Sequence, residues 1–173
     1  PGTAEYLAWL TYGGGKELMA EMYEPHGIHA ITCAIVPPEG SGWFRKEINS
    51  LDDLKGLKMR FLGLGAKVME KLGVATQLIA PGEIYQALQL GTLDAAEFST
   101  PEMDLKLGFY QVARYYYLPG WHQQATAIDL LINKKKWDAL SPTQQAIIEQ
   151  ACGDSIRDTI AKGEARQFQA LKE

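Results

Sequence analysis

Two charged side chains stand where a small anion could be gripped: Arg60, closing the run LKMR, and Glu97, near the end of LDAAEF. A guanidinium is a rigid fork that fits a carboxylate bidentately, and a carboxylate supplies oxygen donors for a cation. Both residues fall at the carboxyl ends of predicted strands, where ligands collect in α/β sheets. The alternative for each is a solvated strand edge. Glu39, in the loop EGSG ahead of Trp43 and Phe44, marks one further polar and aromatic corner, and Trp121-His122-Gln123-Gln124 marks a second. The first could equally be a crossover between domains with a packed tryptophan. A small-anion receptor needs only a guanidinium, an aromatic wall and a few polar oxygens.

Catalytic chemistry finds less support. His26, His29 and His122 form neither an H-E-x-x-H pair nor a compact Cys/His cluster, which argues against a zinc site. No G-x-S-x-G elbow is present, and no serine is visibly coupled to a histidine and an acid. Gly13 to Gly15 lack the G-K-S/T ending of a phosphate loop. An acid–base pairing among Glu39, Asp94 and Glu97 carries little weight in a chain with 21 acidic residues.

Short alternating elements must position these groups. Ser50-Leu51-Asp52-Asp53 matches a capping box for a brief turn that Gly56 stops. Leu57 to Phe61 alternates apolar and basic residues, as a strand with two unlike faces does. Val68, Met69 and Leu72 fall on one face of a following helix that Gly73 caps. Ala75 to Ile79 reads as a strand, Pro81 to Leu90 as a helix with Ile84 and Leu88 one turn apart, and Thr92 to Phe98 as the next strand. This alternation predicts α/β layers with a partly parallel sheet.

Ahead of that block lie a mixed segment from Glu5 to Trp9, a helix from Lys16 to Tyr23 with Leu18, Met19 and Met22 facing inward, and a strand from Ile28 to Val36. Behind it come a helix from Thr100 toward Val112, a Tyr115–Tyr117 strand whose rings cannot all serve one ligand, and a strand from Thr126 to Asn133. Ser141-Pro142-Thr143-Gln144 then caps an apolar pattern reaching Leu171. A helix of roughly 30 residues exceeds what one compact domain normally needs. It spans two domains, reaches a partner subunit or frays as a tail.

The 173 residues, 46% of them hydrophobic, suffice for one domain or a small domain with extensions. A formal charge of −4 gives no reason to expect nucleic acid, and Lys134 to Lys136 read as the solvated start of a helix. Cys33 and Cys152 neither require nor exclude an oxidising compartment. No apolar run approaches the roughly 20 residues that cross a bilayer. The opening PGTAEYLAWL lacks a signal-like core, so a secretion signal is either absent or removed.

SGWFRKEINSLDDLKGLKMR, GLGAKVMEKLG, PGEIYQALQLGTLDAAEF, LGFYQVARYYYLPGW and NKKKWDALSP together resemble the solute receptor of tripartite ATP-independent periplasmic (TRAP) transporters, the dicarboxylate-type receptor family. YYYLPGW and AWLTYGGG are similar to the branch that takes 2-oxo and 2-hydroxy monocarboxylates such as pyruvate or lactate. The resemblance covers essentially the whole chain. It implies an α/β, periplasmic-binding-protein-like two-domain clamshell with a long C-terminal helix and no enzyme activity. Such a protein works in the periplasm and serves membrane-embedded permease subunits without spanning the membrane itself.

By the same resemblance, Arg60 would clamp the ligand carboxylate. Ca²⁺ or Na⁺ would bridge ligand and protein through Glu39, Glu97, the backbone carbonyl of Phe98 and Gln123, and two carboxylates favour calcium on charge. Phe98, Trp43, Tyr117, Trp121 and Gln123 are the expected ligand-site residues, with Tyr12 a weaker candidate and core packing the competing role for at least two of the wall aromatics. The family pattern often has glutamine at position 39 and tryptophan at 98; neither change removes an oxygen donor.

Family receptors are longer, so the chain reads as N-terminally truncated, the last half to two thirds of one. Residues 1–39 would be the remainder of the first lobe and 40–97 an α/β segment of the second. Residues 98–136 would supply crossover and return strands largely of the first, and 137–173 the C-terminal helices. Those helices resemble an element that some relatives exchange between subunits, so a homodimer is expected. The account needs the Arg60 guanidinium to face inward beside room for a small acid. Its rivals are a metal-independent C4-dicarboxylate receptor, with Gln123 on the distal carboxylate, and a chain that only oligomerises.

Overall fold

A computed structural model describes residues 2–173. The helices are α1 (Thr3–Tyr12), α2 (Gly15–Tyr23), α3 (Gly63–Lys71), α4 (Pro81–Leu90), α5 (Pro101–Leu107), α6 (Lys134–Asp138) and α7 (Pro142–Lys172). The strands are β1 (Ile28–Val36), β2 (Gly42–Phe44), β3 (Lys58–Arg60), β4 (Ala75–Gln77), β5 (Ala95–Ala96), β6 (Tyr115–Tyr117) and β7 (Thr126–Asn133). Two compact units result. The first comprises residues up to Pro38 with Gln124–Arg166, and the second Glu39–Gln123 with Gln167–Glu173.

In the first unit β1 and β7 form an antiparallel pair whose register slips between Thr32 and Ala34. An inserted residue bends a strand and frees its side chain from the ladder. The residue at this slip is Cys33, which is bonded to Cys152 of α7. Ser141 and Gln144 cap α7 reciprocally: the Ser141 N–H donates to Gln144 Oε1 at 2.9 Å and the Gln144 N–H to Ser141 Oγ at 3.3 Å. The residues expected as a mixed segment form α1 instead, and Leu18 and Met22, expected to face inward, are more than half exposed. The three glycines do bring chain close to chain, since a Cβ on Gly15 would lie 2.7 Å from Leu10 Cα.

The second unit holds a five-stranded sheet in the order β4-β3-β5-β2-β6. β3 runs parallel to β4 and β5, while β2 runs antiparallel to β5 and β6. Alternation along the strands sends Trp43 and Ala96 into one core with Ile84, Leu88 and Phe109, and Phe44, Met59 and Ala95 into another with Phe61 and Met69. Val68, expected beside Met69, is 44% exposed. The strand expected over Thr92 to Phe98 is paired only at Ala95 and Ala96, and Gly108 in the left-handed region ends α5 before Val112.

Residues 98–123 pack with the second unit, whereas the sequence reading gave 98–136 largely to the first lobe. The reason is β6, which hydrogen-bonds to β2 rather than returning to β1. Among the described residues no helix is long and apolar enough to cross a membrane.

Candidate functional site

The sheet order brings distant residues to one end. Arg60 and Glu97 close or follow the parallel strands β3 and β5, and the Glu97 N–H donates to the Arg60 carbonyl at 3.0 Å. β2 runs the opposite way, so the residues before it, including Glu39, lie at that same end, as do Pro119 to Gln123 after β6. The main chain locks the corner: the Glu39 N–H donates to the Gln123 carbonyl at 3.1 Å, and the Gly120 N–H to the Glu39 carbonyl at 3.0 Å.

All four converging side chains are buried. Arg60 Nη1 donates to the backbone carbonyl of Glu97 and lies 3.3 Å from Glu97 Oε2, while its guanidinium carbon sits 5.1 Å from the centre of the Phe98 ring. His122 Nε2 lies 3.3 Å from Glu97 Oε1 and 3.8 Å from Glu39 Oε2, and the imidazole meets Phe61 edge-on at 4.9 Å. Hydrogen bonding is incomplete: Glu39 Oε2, Arg60 Nε and both His122 nitrogens have no partner. Buried polar atoms left unpaired cost of order 1–3 kcal/mol each, so such a cluster is the signature of groups kept for something else.

Electrostatics point the same way. Burial, then the neighbouring Glu97 and Asp104 charges, push the Glu39 carboxyl up to about 8 against a weaker opposing pull from Arg60. Burial likewise lifts Asp104 to about 7, with Glu97 adding to it and the indole of Trp43 opposing it. Tyr116, whose hydroxyl also lacks a partner, is raised by burial and by Asp104, Glu39 and Glu97. Three acidic side chains thus share the charge of a single arginine, and the cluster is short of positive charge.

A cation would meet that shortage. One ligand atom each from Glu39, Glu97 and His122 lie within 4.8 Å of one another. Two carboxylates, one with an unpartnered oxygen, suit a hard cation. Glu39 and Glu97 were expected as donors from the sequence. His122 was set aside there for want of a local cluster, and the structure corrects that by placing it between them. Gln123 meets Glu39 through its main chain, and Phe98 lies beneath Arg60.

The other expected residues are placed differently. Trp43 is in the core, donating from Nε1 to Asp104 Oδ2 at 2.8 Å and stacked on Tyr116 at 4.2 Å. The Tyr117 hydroxyl is tied to the main chain of Ile48 at 2.6 Å and 3.2 Å. Trp121 is 47% exposed beside Phe61 and His122, and Tyr12 is 92% exposed. Asp104 and Tyr116 were not singled out. Asp104 bonds to the indole of Trp43 and interacts with Glu39 and Glu97 through its charge, contacts that no local spacing signals.

Cavities of about 460 Å³ and about 200 Å³ lie elsewhere, the first lined by Leu10, Met19 and Thr32, the second by Leu105, Tyr116 and Leu171. Arg60 lines neither. Its guanidinium is paired with Glu97, and the room for a small acid expected beside it is found in neither of these cavities.

The family model for the bacterial extracellular solute-binding proteins, family 7, matches residues 4–173. A monocarboxylate 2-oxoacid-binding periplasmic protein of Nostoc sp. is 39% identical over 167 residues, covering 96% of this chain and 46% of the relative. A TRAP transporter solute-binding protein of Bordetella bronchiseptica, solved with copurified calcium and picolinate in a mixed-occupancy dimer, superposes with a TM-score of 0.91 at 46% identity, over 98% of this chain and 50% of that one. One from Pseudoalteromonas atlantica, solved with sodium and pyruvate, gives a TM-score of 0.91 at 39% identity, over 99% of this chain and 52% of that one. The chain therefore spans about half the length of these relatives.

Proposed function

Because the chain belongs to the family-7 bacterial extracellular solute-binding proteins, we propose that its second unit captures a small 2-oxo or 2-hydroxy carboxylate of the pyruvate or lactate kind through Arg60, beside a cation held by Glu39 and Glu97. It is a periplasmic solute-binding protein and not an enzyme. It hands its ligand to membrane-embedded TRAP permease subunits and assembles as a homo-oligomer. The observation that carries this reading is the buried Glu39–Glu97–Arg60 group with its unpartnered carboxylate oxygen and unpartnered Nε.

When bound, a cation would offset the two carboxylates and offer open coordination positions to the oxygens of a 2-oxo acid; Ca²⁺ suits the charge better than Na⁺. The protein's part rests on Glu97, which serves two neighbours. Turned to Arg60 its carboxylate accepts from Nη1; turned toward Glu39 it would release that contact, leaving Nη1 on the Glu97 backbone carbonyl and the rest of the guanidinium for the ligand carboxylate. Phe98 beneath the guanidinium covers one face of that planar fork.

Calorimetric titration with pyruvate, lactate and succinate, each with Ca²⁺, with Na⁺ and with a chelator, tests the reading. Pyruvate is expected to bind with Ca²⁺ present, to weaken on chelation, and to weaken at least about tenfold in Arg60→Ala. Succinate binding indifferent to cation would install the dicarboxylate alternative. No heat from any of the three acids would leave only the oligomerising chain.

A further inference from the structure

The role of His122 is the point left open. Its side chain is 6% exposed, yet neither ring nitrogen has a hydrogen-bond partner. Its orientation is not accidental. Phe61 and Trp121 pack against the ring, and Gly120 two residues before it and Gln123 directly after it are tied to Glu39 by main-chain bonds. A Cβ on Gly120 would collide with the Glu39 carbonyl oxygen, so the loop approaches as closely as a backbone can.

An imidazolium serving merely as counter-charge would direct an N–H at a carboxylate. Nε2 instead lies between the two, 3.3 Å from Glu97 Oε1 and 3.8 Å from Glu39 Oε2, without hydrogen-bonding either. Donors about 2.1 Å from a common ion at tetrahedral angles stand about 3.4 Å apart; the Glu97 separation is close to that value, the Glu39 one is longer, and all three ligand atoms lie within 4.8 Å of one another. Two carboxylates settle a divalent charge but do not choose among divalent ions. A nitrogen donor does, because calcium favours oxygen while imidazole suits first-row transition ions.

We propose that His122 Nε2 is the third protein donor to the cation between Glu39 and Glu97, and that this two-carboxylate, one-imidazole set holds a transition divalent ion such as Co²⁺, Mn²⁺ or Zn²⁺ more tightly than Ca²⁺. The inference rests on the cation site proposed above and adds its selectivity. His122 thereby sets which ion presents open positions to the carboxylate ligand.

The test titrates the chelator-treated chain with Co²⁺ and with Ca²⁺ and no organic ligand, in wild type, His122→Ala and His122→Gln. Heat, the visible Co²⁺ spectrum and the melting temperature are read. Wild type is expected to bind Co²⁺ at least about tenfold more tightly than Ca²⁺. Both variants are expected to lose about ten- to a hundredfold in Co²⁺ affinity and to shift its spectrum, with a clearly smaller loss of Ca²⁺ affinity. Pulsed EPR of the Co²⁺-loaded wild type, which needs no variant, is expected to show nitrogen hyperfine coupling.

Absence of that coupling, tighter Ca²⁺ binding in wild type, or equal loss of both ions with a lowered melting temperature would overturn the proposal. Pyruvate separates the two readings. Co²⁺ bound through His122 without any response to pyruvate sinks the carboxylate reading alone; pyruvate still bound, with Co²⁺ affinity and spectrum unchanged in both His122 variants, sinks this one alone.

Discussion

Replacing Glu39 by glutamine keeps the side chain's size and one oxygen while removing a charge that the fold resists. The Glu39 carboxyl is raised from 4.5 to about 8 by burial and by Glu97. Below the lower value both folded and unfolded chains hold the proton. Between the two the unfolded chain releases it and the folded chain keeps it, so each pH unit removes about 1.4 kcal/mol from folding. Across the whole window the loss is bounded at about 5 kcal/mol, and relaxation of the carboxylates would make roughly 2–4 kcal/mol the realistic range.

Glu39→Gln should therefore match wild type near the acid end of the window and exceed it by that amount at the alkaline end. In a chain of this length that corresponds to roughly 5–15 °C in melting temperature. Thermal melts across the window, with chelator present, read the difference directly. The variant should also lose cation affinity, the usual exchange between stability and function at a strained site. A Glu39→Gln chain no more stable than wild type at the alkaline end, or stabilised equally at every pH, would refute the claim that Glu39 is held against its charge.

Further expectations follow from the same geometry. Asp104→Ala leaves the Trp43 indole N–H without its acceptor in the core and should cost about 2–3 kcal/mol in urea titration. Gly120→Ala drives a Cβ into the Glu39 carbonyl, which should cost about 1–3 kcal/mol and abolish cation binding, seen by melting and calorimetry together. Reduction of the Cys33–Cys152 disulfide, which spans 119 positions, should lower stability by about 2–5 kcal/mol in denaturant titrations with and without reductant.

How much of this was legible in the sequence depended on how local each signal was. β1, β7 and α7 carry their own evidence in strand composition, turn residues and a capping serine, and each forms where expected. α1 was missed because Tyr6, Leu7, Trp9 and Leu10 give no clean apolar stripe, and only Leu10 is buried. The inward faces assigned to Leu18, Met22 and Val68 failed because periodicity marks an apolar residue without saying what covers it.

The site was partly legible. Arg60 and Glu97 follow from the rule that parallel strands present ligands at their carboxyl ends. His122 could not be read that way, because positions 39, 97 and 122 converge only through the strand order β5-β2-β6, which no local pattern encodes. The pairing of Cys33 with Cys152 was open for the same reason: it joins the register slip of β1 to a helix more than a hundred residues on.

Diffraction from crystals grown with Ca²⁺ and pyruvate tests the central claim most directly. The account predicts a coordinated peak in contact with the carboxylates of Glu39 and Glu97, with Glu97 turned from Arg60 and the pyruvate carboxylate on the freed guanidinium. An Arg60–Glu97 pair still closed, with no ion between the two carboxylates at saturating ligand, would contradict it.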